Sequence, residues 1–80
     1  MIQHNQIGKY RTKESVLNAK IGGTYLLPSG KRYKFLSWEK QGRRYIYAIE
    51  YNGVKCRLSE VDFNTNMENV LQAMENEVSK

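Results

Sequence analysis

The 80-residue sequence predicts an α+β domain: a four-stranded antiparallel meander with a C-terminal helix and a shorter N-terminal one. Three observations carry this reading. Turn signals recur at Ser29-Gly30, Gln41-Gly42 and Asn52-Gly53. The segments between them are rich in aromatic and β-branched residues, the composition of strands. Beyond them, Met67, Val70, Leu71, Met74 and Val78 recur at helical spacing and form one apolar stripe.

Taken in order, residues 1–11 read as a polar leader without the apolar stretch of a signal peptide. His4 within it has no second ligand at a metal-binding spacing. Thr12 is placed to cap a helix over 13–20, with Val16 and Leu17 facing inward and Gly22-Gly23 ending it. Strands follow at about 23–27, 32–40, 43–51 and 54–58. Asn52-Gly53 is the strongest turn, because a two-residue type I′ loop needs positive φ at both positions. That loop sets Tyr51 against Val54, Ile49 against Cys56 and Tyr47 against Leu58; on the other face Glu50 meets Lys55 and Ala48 meets Arg57. The same loop length at Gln41-Gly42 pairs Trp38 with Tyr45 and Leu36 with Tyr47 on the first face. It places Tyr33 and Phe35 on the second face, where Phe35 meets Ala48, Ser37 meets Ile46 and Glu39 meets Arg44. Apolar residues then occur on both faces, so either the sheet curls into a small barrel or a helix covers one side. The last helix spans about 66–78, with Thr65 and Glu68 in capping-box spacing and Asn64 or Asn66 as alternative caps.

Composition narrows the function classes. One small domain of 80 residues, 40% hydrophobic and 26% charged, has enough apolar residues to fold. No apolar run approaches the roughly 20 residues of a membrane span. Cys56 is the single cysteine; it alternates with Val54 and Leu58 and reads as a small core hydrophobe in a reducing, cytoplasmic setting. No Ser/His/Asp set, paired carboxylate site or phosphate-binding glycine loop is present, so a non-enzymatic protein without a cofactor is expected.

The stretch 23–63 carries YIYAIEYNG, with a hairpin glycine at Gly53, followed by LSEVDF. This pattern resembles the SH3-like small barrels, including Tudor-type and KOW-type modules. The resemblance implies a meander curling towards a partial barrel, with LSEVDF as a 3₁₀ turn and Val61 and Phe63 inward. It also implies binding rather than catalysis. After Phe63 this sequence turns helical, where those barrels add a closing strand. Size and basicity are also similar to small accessory proteins of bacteriophages and mobile elements.

Charge is unevenly distributed along the chain. Twelve of the 13 Lys and Arg lie within residues 9–57, and five of the eight acidic residues follow them. All six tyrosines and Trp38 share the basic part. Cations interleaved with rings on strands are a signature of single-stranded nucleic-acid binding. The candidate phosphate-binding residues are Lys31, Arg32, Lys34, Arg43, Arg44, Lys55 and Arg57, with Tyr33 as the stacking ring. A single-stranded nucleic acid or RNA is the expected partner, and an acidic protein is the alternative. No membrane partner is expected, and the chain is read as a monomer or weak homodimer. The competing reading is a solvated polar face whose ion pairs contribute little.

Overall fold

The computed structural model describes residues 12–78. The polar leader, with His4 and Tyr10, lies outside the described residues. Helix α1 (Lys13–Lys20) precedes strands β1 (Thr24–Leu26), β2 (Arg32–Gln41), β3 (Arg44–Tyr51) and β4 (Val54–Ser59). Helices α2 (Glu60–Thr65) and α3 (Met67–Val78) follow. The four strands form an open antiparallel sheet in the order β1-β2-β3-β4, with β1 and β4 at its edges. The helices supply core residues to one face only.

Local chemistry accounts for most boundaries. Thr12 Oγ1 accepts from the Ser15 N–H at 3.1 Å, which caps α1 as its sequence predicts. Leu17 is the buried residue of that helix, and Val16 is half-buried beside it. After α1 the Gly22 N–H donates to the Phe35 carbonyl at 2.7 Å, and the Phe35 N–H donates to the Gly23 carbonyl at 2.9 Å. The helix exit is thereby joined to β2. At Asn52-Gly53 both residues have positive φ, 53° and 81°, and the β3–β4 register follows the expected pairs from Tyr51↔Val54 to Tyr47↔Leu58.

The β2–β3 hairpin differs from expectation in two ways. Its loop is Gly42-Arg43, closed by Gln41↔Arg44, rather than Gln41-Gly42. Gly42 supplies a φ of 65° at the first loop position, the requirement of a type II′ turn, and spares Gln41 a left-handed backbone. Trp38 therefore pairs with Tyr47, and Glu39 faces Ile46 instead of Arg44. Further along, the register shifts between Phe35↔Ile49 and Ser37↔Ala48, so that Leu36 is an extra residue in a β-bulge. One inserted residue reverses the side-chain faces beyond it. Tyr33 and Phe35 turn into the core, at 9% and 0% exposure, contrary to their predicted place on the opposite face.

The core lies between this face of the sheet and the helices. Phe35, Ile49 and Leu71 are its fully buried centre. Phe63 from α2 sets its ring against those of Tyr47, Phe35 and Tyr33, with centroids 4.6, 5.7 and 6.0 Å away. Burial of each large side chain contributes about 1.5–3 kcal/mol, so this ring cluster is a principal source of stability. Met67, Leu71 and Met74 bury the stripe of α3 as expected; the Val78 side chain is outside the described set.

Two local expectations are corrected. LSEVDF forms the short helix α2, capped by Ser59 Oγ accepting from the Asp62 N–H at 3.2 Å. Residues two apart on a helix point nearly opposite ways, so Phe63 packs inward while Val61 remains 66% exposed. The Thr65–Glu68 capping box does not form. Thr65 Oγ1 donates to the Val61 carbonyl, and the Glu68 carboxylate accepts from the Ser29 N–H and hydroxyl at 3.2 and 2.6 Å. That contact ties the β1–β2 loop to α3.

The open face of the sheet as the candidate functional site

Strand alternation decides which cations share a surface. With Tyr33 and Phe35 turned inward, Arg32 and Lys34 point away from the helices. The ladder sets Lys34, Glu50 and Lys55 in one row and Ser37, Ala48 and Arg57 in another. Glu39, Ile46 and Ser59 make the next row, followed by Gln41 with Arg44 at the far end. Arg32, Lys34, Arg44, Lys55 and Arg57 are all exposed on this side. Five of the eight candidate residues thus share one sheet face, accompanied by the carboxylates of Glu39 and Glu50 alone among the described residues.

The other three candidates stand elsewhere. Arg43 occupies the β2–β3 turn, next to Arg44 at the rim. Lys31 is engaged by α3, its Nζ lying 3.1 Å from Glu75 Oε2. Tyr33 is withdrawn altogether: its ring packs on Tyr25 and Phe63, and burial pushes its hydroxyl above the ordinary value of 10.0. It is therefore unavailable for stacking. The other described rings also face the helices: Phe35, Tyr45, Tyr47 and Tyr51 belong to the core, and Tyr25, Trp38 and Phe63 are partly buried against it.

The distribution of ion pairs sharpens the picture. Arg57 pairs with Glu39 across the middle of the face, in place of the expected Glu39–Arg44 pair. Among the described residues, Arg32, Lys34, Arg43, Arg44 and Lys55 have no carboxylate within ion-pair distance. Cations outside ion pairs are consequently concentrated at the two ends, with Glu50 in the row between Lys34 and Lys55. Arg32, Lys34 and Lys55 stand near the β1–β2 and β3–β4 turns, and Arg43 and Arg44 stand at the β2–β3 turn. Between them lie the half-buried side chains of Leu36, Ile46 and Ala48.

A cleft of about 480 Å³ opens at the arginine end, where β3 runs past the last residue of β4. Arg43, Arg44, Ile46, Ser59 and the exposed Val61 are among its lining residues, and Glu60 brings a carboxylate to the same cleft. A shallower recess beside it shares Ile46 and Ser59 and reaches Arg57. Sequence reasoning missed both this cleft and the apolar strip. The only local signal was the apolar content of the second face, which a helix-covered or barrel sheet would equally produce.

Behind the face, hydrogen bonds hold the helices to the sheet. The Tyr45 hydroxyl donates to Glu14 at 2.8 Å, and the Trp38 indole N–H donates to Asn18 Oδ1 at 2.8 Å. The Tyr51 hydroxyl donates to Glu75 at 2.5 Å. These bonds draw the Glu14 and Glu75 carboxyls below their ordinary 4.5, through Tyr45 and Tyr51 respectively, with Lys31 adding to the effect at Glu75. The same bonds push Tyr45 and Tyr51 above 10.0. Cys56 is half-buried against the core. No helix among the described residues is long and apolar enough to cross a membrane. No family model, curated protein or solved structure matches the chain.

Proposed function

We propose that this chain is a small, non-enzymatic nucleic-acid-binding module that holds phosphates on the uncovered face of its sheet. One observation carries the reading: exposed cations without a carboxylate partner among the described residues gather on the side left bare by the helices. Asp62, Glu68 and Glu75 belong to the helices packed on the opposite side, while Glu60, at the start of α2, pairs with Lys13 and lines the cleft beside Arg43 and Arg44. The molecule therefore has a cationic and an acidic side, which orients an approaching polyanion. Arg32, Lys34, Arg43, Arg44 and Lys55 are the phosphate contacts, with Arg57 recruited if its pair with Glu39 opens. Tyr33 has no part in it, and affinity comes from charge rather than stacked rings.

Fluorescence anisotropy with a labelled oligonucleotide tests this. With about five phosphate contacts, affinity falls on the order of several hundredfold between about 50 and about 200 mM salt, through counterion release. Absence of binding at the lower salt rejects the reading.

A second reading, an acidic protein partner, is favoured by the apolar strip. Leu36, Ile46 and Ala48 between two cationic ends, with Leu26 66% exposed at the edge strand, match the apolar centre and arginine-bearing rim of protein interfaces. The neutral substitution Ile46→Ser separates the two, because it removes apolar area without adding charge to the face. It leaves most salt-sensitive oligonucleotide binding intact if phosphates are the ligand, and abolishes binding if the strip is the anchor.

A further inference from the structure

We infer that the nucleic acid taken by this face is double-stranded, lying across the sheet so that its two phosphate rows meet the two cationic ends. The inference rests on the nucleic-acid reading above and specifies its ligand. A single-stranded site combines a continuous cationic track with rings on which unpaired bases stack. Among the described residues this face has neither. Every described ring is on the helix side, and the cations form two groups rather than a track.

The separation of the groups fits a duplex. Arg44 and the Lys34-Glu50-Lys55 row are six residues apart along β3, which at about 3.4 Å per residue is roughly 20 Å. A B-form major groove is about 12 Å wide, with phosphate rows standing at its two walls. Long side chains at both ends can lean inward to those rows, whereas a single strand offers one row only. Between the ends, Arg57 is engaged by Glu39, and the neighbouring side chains of Leu36, Ile46 and Ala48 offer no hydrogen-bond donors. Gln41 donates to Glu39, and Ser59 Oγ accepts from the Asp62 N–H. That leaves the exposed Ser37 hydroxyl as the small polar group facing base edges, so binding is largely independent of sequence. The width of four strands also exceeds the two-stranded ribbon that a major groove admits, which keeps the sheet across the groove rather than inside it.

The test compares a labelled DNA duplex of about two helical turns with each of its separated strands, at one low salt concentration, by anisotropy. The duplex is expected to bind at least tenfold more tightly than either strand, and a scrambled duplex equally well. Two double variants, Arg43→Glu/Arg44→Glu and Lys34→Glu/Lys55→Glu, alter exposed side chains at opposite ends, and thermal melts verify that both fold. Each is expected to weaken duplex binding at least tenfold. Single strands binding as tightly as the duplex, or one end proving dispensable, would overturn the inference while leaving the phosphate-binding reading in place. Failure of every nucleic acid to bind overturns both.

Discussion

Phe35 illustrates how much rests on single side chains in a domain of this size. It is fully buried, and its ring meets those of Tyr47 and Phe63 at 5.8 and 5.7 Å. Replacement by alanine removes the ring and leaves a cavity, at a cost of about 3–5 kcal/mol. Domains of this kind have only about 5–15 kcal/mol in total, so Phe35→Ala should consume a large share of it. Urea unfolding followed by circular dichroism is expected to show a midpoint shifted strongly downward, or no folded baseline. The tyrosines allow a second check at this scale. Burial raises Tyr33 and Tyr47, and hydrogen bonds to carboxylates raise Tyr45 and Tyr51. An alkaline spectrophotometric titration should therefore contain a group of phenols that ionise above 10.0, and urea should remove it. A titration in which all tyrosines ionise together at their ordinary value would contradict the aromatic core.

Among the elements, the β3–β4 hairpin is specified locally. Asn52 and Gly53 hold φ of 53° and 81°, and no atom lies within 4 Å of the place where a Gly53 Cβ would sit. The backbone conformation alone thus penalises a side chain there, and Gly53→Ala should destabilise the fold by about 1–2 kcal/mol, measurable by thermal melting. Docking of α3 depends on longer-range chemistry. Glu75 accepts from Tyr51 and pairs with Lys31, which lowers the folded carboxyl below its ordinary 4.5. A depressed carboxyl contributes stability above its unfolded value, and that contribution is lost as pH falls through the folded value. Tyr51 and Lys31 are raised, so their contributions are present below 10.0 and 10.5 and are lost as pH rises through the folded values. The melting temperature should accordingly be flat near neutrality and decline at both extremes. In Glu75→Gln the acid decline should be shallower, with Glu14, also depressed through Tyr45, supplying what remains. An unchanged acid limb in that variant would show that the Glu75 contacts do not stabilise the fold.

Across the whole molecule, the β-bulge at Leu36 links folding to the proposed binding face. Without the extra residue, Tyr33 and Phe35 would share a side with Ser37, and Arg32 and Lys34 would point at the helices. With it, one shift turns two rings into the core and two cations out to solvent. The physical drive is the difference between burying rings and burying ammonium or guanidinium groups, the latter being costly without partners. This segregation predicts that charge removal on the open face affects binding far more than stability. Lys34→Gln/Lys55→Gln, which removes both charges without setting carboxylates beside Glu50, should shift the melting temperature by only a few degrees, in keeping with small effects at exposed sites. A collapse of the fold in that variant would mean that these residues serve the structure rather than a ligand.

Much of the architecture was legible in the linear chain because its causes are local. Thr12 caps the helix that follows it, Asn52-Gly53 sets the last hairpin, and the spacing of Met67, Leu71 and Met74 marks the buried stripe of α3. The cationic stretch was equally visible, since composition needs no coordinates. The face presented by each half of β2 was not, because side-chain alternation continues indefinitely unless a bulge interrupts it, and nothing in FLS marks where that happens. The packing of Phe63 against Tyr33, Phe35 and Tyr47 favours that interruption, a contact between residues distant in the chain. Sequence alone therefore determined which residues carry charge and where the Asn52-Gly53 turn falls, while the β2–β3 turn lies one residue beyond its predicted place. Only tertiary packing decided that Tyr33 is core and that Arg32 and Lys34 join Lys55 on the open side, because the energy of burying rings is realised only once helix and sheet meet.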